Sequence, residues 1–220
     1  MGRHSVREQT SRGLRVGSLI AIATALVLGA IYLIAQVADV PFSDLTRDAA
    51  ATLEGPWYTG AISNASVALS VAGAGIAFFA ASLLADVDGP SVKGLLVALG
   101  LVVFVVAVDD LYMLHEMVFP ELGLSAPVVF ALYGIAMLAI LWVWRRVILG
   151  STDYVFLVLA AVALGVSVGV DVVLEERLFD LPFSGELIED PAKILGMLFM
   201  TFYLIVTGRQ ALIAGPADSN

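Results

Sequence analysis

The chain of 220 residues is 60% hydrophobic and 14% charged, and its mean hydropathy is +0.97. This composition excludes an ordinary soluble domain and predicts an integral membrane protein. The net charge of −9 argues against nucleic acid as a partner, and the absence of cysteine excludes disulfides and thiolate metal sites.

Six apolar segments follow one another along the chain, and each is long enough to cross the hydrocarbon core of a bilayer. They lack the alternation of a β-barrel, so we predict an all-α integral membrane protein with six transmembrane helices. The transmembrane domain covers residues 14–208, between a basic N-terminal tail, 1–13, and a C-terminal tail, 209–220. The predicted spans are 14–38, 59–85, 92–118, 126–148, 154–176 and 190–208.

The distribution of basic residues predicts the orientation. Basic residues concentrate in the N-terminal tail and in the loops on its side of the membrane, which places the N-terminus in the cytoplasm of a multi-pass cell-membrane protein. The even number of spans returns the C-terminus to the cytoplasm. Most acidic residues then lie outside, where they would attract cations. The bases predicted inside are Arg3, Arg7, Arg12, Arg15, Lys93, Arg145, Arg146 and Arg209, and those outside are Arg47, Arg177 and Lys193.

Two segments after the first and fifth apolar runs are similar in sequence. They read DVPFSDLTRDAAATL, residues 39–53, and DLPFSGELIEDPAKIL, residues 180–195. The match indicates either a parallel repeat of helix hairpins or convergence on the same turn chemistry. In both copies an aspartate, Asp48 or Asp190, is predicted to cap the N-terminus of the next helix.

The second apolar segment carries small residues that predict close helix packing rather than chemistry. They are Ser66, Ser70, Gly73 and Gly75.

The third apolar segment ends in the polar sequence VDDLYMLHE, residues 108–116. If the helix continues through it, four of its side chains fall within about 120° of one face, and Asp110 lies about 100° to one side. The segment therefore predicts a polar stripe at membrane depth. The four residues on the stripe are Asp109, Tyr112, His115 and Glu116.

Two other segments place carboxylates at comparable depth. In the fifth segment, Asp171 and Glu175 share one helix face at a spacing of four residues. Glu189 and Lys193 have the same spacing at the start of the sixth. So many acids near one another raise each other's pKa until protons, a lysine or a metal cation compensates the charge.

A divalent cation is one answer to this excess of acids, and protonation of some of them is the other. A histidine among carboxylates suits Mn, Fe or Zn better than Ca or Mg. The absence of a Glu-x-x-His motif disfavours a ferritin-like di-iron centre. The candidate metal ligands are Asp109, Asp110, His115, Glu116, Asp171, Glu175 and Glu189.

The most concrete function predicted is a metal-dependent hydrolase or oxidoreductase acting on a lipid-like or membrane-soluble substrate. Asp109 or Glu175 would be the general base, with Tyr112 and Lys193 as further catalytic candidates. The alternatives are a cation- or proton-coupled transporter and an assembly or sensor subunit with an acidic docking face. Membrane lipid is the expected surrounding partner, and a homo-oligomer or a membrane-complex partner stays open.

Overall fold

The computed structural model describes residues 6–40, 53–56, 58–170 and 186–214. These residues form helices and turns, with no strand among them. The all-α class is therefore confirmed. The elements are α1 Val6–Val37, α2 Ala61–Leu83, α3 Val92–Tyr112, a π-helix Leu114–Val118, α4 Phe119–Glu121, α5 Ala126–Val143, α6 Arg145–Ser151, α7 Tyr154–Gly169 and α8 Glu186–Ala214.

Five helices in the described part of the chain are long and apolar enough to cross a membrane. They are the apolar part of α1, Gly17–Val37, together with α2, α3, α5 and most of α8. The fifth predicted span corresponds to α7, which has 16 residues, and its continuation over 171–176 lies outside the described residues. Membrane-spanning helices are therefore supported, and the sixth span stays a prediction.

The chain divides into two compact units, Met1–Thr59 and Gly60–Asn220. The first unit contains α1, whose apolar side chains are largely exposed, as expected for a helix that contacts lipid. The second unit contains all the other helices and the candidate site.

In the second unit, α2 packs against α3 and α8, and α8 also packs against α7. Small residues allow these close approaches. A Cβ placed on Gly73 would lie 2.8 Å from Thr201 Oγ1, and one on Gly196 would lie 2.6 Å from Leu164 Cγ. Gly75, in contrast, has no described atom within 4 Å of such a Cβ, so it is not part of the packing face.

The start of α8 corrects the predicted helix cap at Asp190. The helix is described from Glu186 onward, so Asp190 and Pro191 lie inside it. Acidic residues in the first turns interact favourably with the positive end of the helix dipole, which supports the earlier start. Asp48, most of the segment 39–53 and the first six residues of the segment 180–195 lie outside the described residues, so the repeat stays a prediction.

The predicted straight helix over 92–118 is also corrected. The α-helix ends at Tyr112, and Met113 follows in the left-handed conformation with φ of 49°. The chain then forms the π-helix Leu114–Val118 and the short helix α4. A left-handed residue and a wide π-turn are both uncommon, and both are enriched at functional sites.

Candidate functional site

The break at Met113 brings His115 back onto Asp109. In a continuous α-helix, residues six apart lie about 120° apart around the axis and about 9 Å along it, too far for a side-chain hydrogen bond. In the structure the Nδ1 atom of His115 lies 2.9 Å from Asp109 Oδ2. The π-turn is therefore what joins the two side chains.

Asp109 is 1% exposed, and both of its carboxylate oxygens have partners. Oδ1 accepts a hydrogen bond from the backbone N–H of His115 at 2.8 Å. Oδ2 lies 2.9 Å from His115 Nδ1, where an ionised carboxylate accepts a hydrogen bond from the tautomer protonated at Nδ1. This contact fixes the ring orientation and leaves Nε2 as the other reactive nitrogen of the ring.

Two aromatic residues of α5 complete the surroundings of this pair. The Tyr133 hydroxyl lies beside the Asp109 carboxylate. The Phe130 ring is tilted by 51° against the His115 ring, with their centroids 4.8 Å apart. Neither residue is predicted from the sequence. Their three-residue spacing places them on one face of a helix, but nothing in the sequence indicates that this face meets α3.

Asp110 faces a different helix from Asp109. Its Oδ1 accepts a hydrogen bond from Lys193 Nζ of α8 at 2.8 Å, and the side chains are 5% and 22% exposed. Its Oδ2 is buried and has no hydrogen-bond partner among the described residues. An unpaired carboxylate oxygen in an apolar interior is costly, so a donor or a cation is expected to bind there.

Glu116 lies at the exposed side of the pair. Its Oε1 is 3.5 Å from His115 Nε2, and its side chain is 61% exposed, whereas that of His115 is 7% exposed. The imidazole is thus placed between a buried carboxylate at Nδ1 and an accessible carboxylate near Nε2.

Three of the predicted ligands form a compact group. One ligand atom from each of Asp109, Asp110 and His115 lies within 4.8 Å of the others.

The family model of a domain of unknown function, DUF8692, matches residues 19–207. The chain belongs to this family. No curated protein and no solved structure matches the chain.

The matched region of this DUF8692 chain contains all the site residues described above. The other predicted residues are placed differently. Tyr112 is 63% exposed, and the tyrosine that lies beside Asp109 is Tyr133. Glu189 is partly buried one helical turn before Lys193, but it is not a member of the three-residue group. Two more predicted ligands, Asp171 and Glu175, lie outside the described residues.

Proposed function

We propose that this protein is a multi-pass protein of the cell membrane, with its N-terminus inside, that binds a divalent transition metal near the outer end of α3. With the metal bound, the protein would act on a lipid-like or membrane-soluble substrate, as a hydrolase or an oxidoreductase. The observation that carries the proposal is the buried group of Asp109, Asp110 and His115. Three observations support it: the excess of carboxylates at the site, the distance between His115 Nε2 and Glu116 Oε1, and the Asp110 Oδ2 atom, which has no partner among the described residues.

The charges at the site favour a cation. The site has three carboxylates and one ammonium group: Asp109 and Glu116 lie beside the His115 ring, and Asp110 pairs with Lys193. With a neutral imidazole the described site carries two excess negative charges, which one divalent cation would balance. Because like charges repel strongly in an apolar interior, this compensation stabilises the folded site.

The geometry around His115 Nε2 fits a metal ion. Two ligand atoms about 2.1 Å from a tetrahedral metal lie about 3.4 Å apart, close to the 3.5 Å between Nε2 and Glu116 Oε1. In this arrangement Asp109 orients the imidazole from behind, as carboxylates do for metal-binding histidines. Asp110 would supply its unpaired Oδ2.

Each residue of the site would have a different role in the proposed chemistry. A bound transition metal would supply Lewis-acid chemistry, or redox chemistry if it is Fe or Mn. Asp109 holds the His115 tautomer, and Lys193 neutralises one oxygen of Asp110. Tyr133 places a hydroxyl beside the buried carboxylate, where it would donate a hydrogen bond. Glu116 is the carboxylate that a ligand arriving from the surface would meet first.

Metal content tests the proposal. The full chain is purified without chelator, reconstituted with Mn, Fe or Zn, and analysed by plasma mass spectrometry. We expect a near-stoichiometric metal that is lost in Asp110→Asn and His115→Gln. The matched control is Asp86→Asn, because the Asp86 side chain is 95% exposed and lies away from the site. A wild-type chain that binds none of the three metals would refute the proposal.

Cation- or proton-coupled transport is a second candidate, favoured by polar side chains deeper in the bundle. Thr201 Oγ1 donates to the Leu69 carbonyl across the α2–α8 interface. Towards the other end of α8, the buried Tyr203 donates to Thr152 Oγ1 at 3.0 Å. Such groups support passage of an ion or a proton beyond the site.

Transport is tested in proteoliposomes. An imposed Mn²⁺ gradient should drive uptake, together with a change in internal pH reported by a trapped dye. Protein that binds Mn²⁺ but carries no flux would exclude this candidate and leave the enzymatic one.

A further inference from the structure

Ser66 on α2 has a buried hydroxyl for which the described part of the chain offers no hydrogen-bond partner. The residue is 1% exposed, and its Oγ has no hydrogen-bond partner among the described residues. A buried polar atom left unpaired is unfavourable, so such atoms usually bind water, an ion or a ligand. Packing alone explains the small size of serine at this position but not its oxygen.

The contacts between α2 and α8 fix the side of α2 on which Ser66 lies. Ser66, Gly73 and Ala80 are spaced by seven residues and therefore share one stripe of the helix. A Cβ on Gly73 would lie 2.8 Å from Thr201 Oγ1, and one on Gly208 would lie 2.8 Å from Ala80 Cβ. The two helices thus run parallel in constant register, and Ser66 lies on the stripe that faces α8.

The same register gives the level of Ser66 along α8. Seven residues before Thr201, about 10 Å along the axis, is Ile194. Lys193 is its neighbour in sequence. Ser66 is therefore level with the backbone of Lys193.

The contacts between α2 and α3 give the same level independently. These helices are antiparallel, and a Cβ on Gly100 would lie 3.2 Å from Ala77 Cβ. Ser66 lies eleven residues before Ala77 on α2, and Leu111 lies eleven residues after Gly100 on α3. In an antiparallel pair these two residues are at the same level. Asp110 precedes Leu111, so Ser66 is level with both members of the ion pair that joins α3 to α8.

We propose that Ser66 is a further residue of the metal site, and that its Oγ binds the divalent cation together with Asp110 Oδ2. The inference rests on the proposed metal site and adds a third helix to it. Both atoms are buried oxygens without a described partner at the same level of the three-helix junction. Hydroxyl and carboxylate oxygens are suitable ligands for Mn²⁺ and Fe²⁺ beside one imidazole.

Mn²⁺ affinity tests this assignment in the full chain in detergent, with free Mn²⁺ measured by electron paramagnetic resonance. We expect Ser66→Ala to bind Mn²⁺ at least tenfold more weakly than the wild type. The matched control is Ser70→Ala, because Ser70 is equally buried but its hydroxyl already donates to the Ser66 carbonyl at 2.8 Å. This control should bind Mn²⁺ like the wild type.

A second variant gives a spectroscopic signature. The chain has no cysteine, so Ser66→Cys introduces the only thiol. Loaded with Co²⁺, the folded variant should show a thiolate charge-transfer band that the wild type lacks. Unchanged Mn²⁺ affinity in Ser66→Ala, or no such band, overturns the role of Ser66. A wild type that binds no metal instead removes the proposed metal site itself.

Discussion

Replacing Lys193 by methionine removes the partner of a buried carboxylate. The Asp110 side chain is 5% exposed, and the ammonium group lies 2.8 Å from its Oδ1. Removing one member of a buried ion pair costs about 3–5 kcal/mol. Because Lys193 is itself 22% exposed, we expect the lower end, about 3 kcal/mol, or on the order of a 100-fold change in the unfolding equilibrium.

The assay is reversible unfolding of the metal-free protein in mixed micelles, followed by circular dichroism. The double variant Lys193→Met with Asp110→Leu should recover most of the lost stability, because no uncompensated charge remains. The matched control is Lys93→Met. Lys93 pairs with Asp86 at the shorter distance of 2.6 Å, but the Asp86 side chain is 95% exposed.

If burial decides the strength of these pairs, the loss in Lys93→Met will be much smaller than in Lys193→Met despite the shorter contact. Equal losses for the two lysines would refute this reasoning. Failure of the double variant to recover stability would also count against it, because the loss would then come from the lysine's packing and not from the unpaired charge.

Three further predictions concern backbone, packing and the site. Met113 has φ of 49°, so Met113→Gly should keep metal binding and relieve about 1–2 kcal/mol of backbone strain. The β-branched variant Met113→Ile should be less stable than the wild type and bind metal more weakly; equal behaviour of the two variants would contradict the role of the left-handed turn. Gly196→Val should sharply lower the unfolding temperature, because a Cβ would lie 2.6 Å from Leu164 Cγ and 3.1 Å from its backbone nitrogen. Gly75→Ala, with open space around it, should be neutral or stabilise by about 0.5–1 kcal/mol in the same melting experiment. Tyr133→Phe should lower Mn²⁺ affinity about tenfold by removing a hydroxyl beside the Asp109 carboxylate; unchanged affinity in the titration would show that this hydroxyl has no part in the site.

The sequence by itself determined the class of the protein and the residues on which the site depends. Long apolar segments can only be accommodated as helices in a bilayer, because the backbone must satisfy its own hydrogen bonds there. Charged groups within such segments are costly, which identified Asp109 as a functional candidate before any contact was known. His115 and Asp110 followed from the same short motif.

Only the tertiary structure decided how these residues meet. Periodicity assumed a straight helix through Met113, but the left-handed turn and the π-helix replaced the predicted face with a direct contact between Asp109 and His115. No propensity of methionine indicates such a turn, because the surrounding packing must stabilise it.

The other contacts depend on how separate helices are aligned. Lys193 reaches Asp110 across 83 residues, and Tyr133 lies beside Asp109 from a helix in which the sequence showed no site. Glycine contacts such as that of Gly73 with Thr201 set these alignments. Because side-chain pairs between helices depend on packing register and not on spacing within one helix, the sequence could name the acids but not their partners.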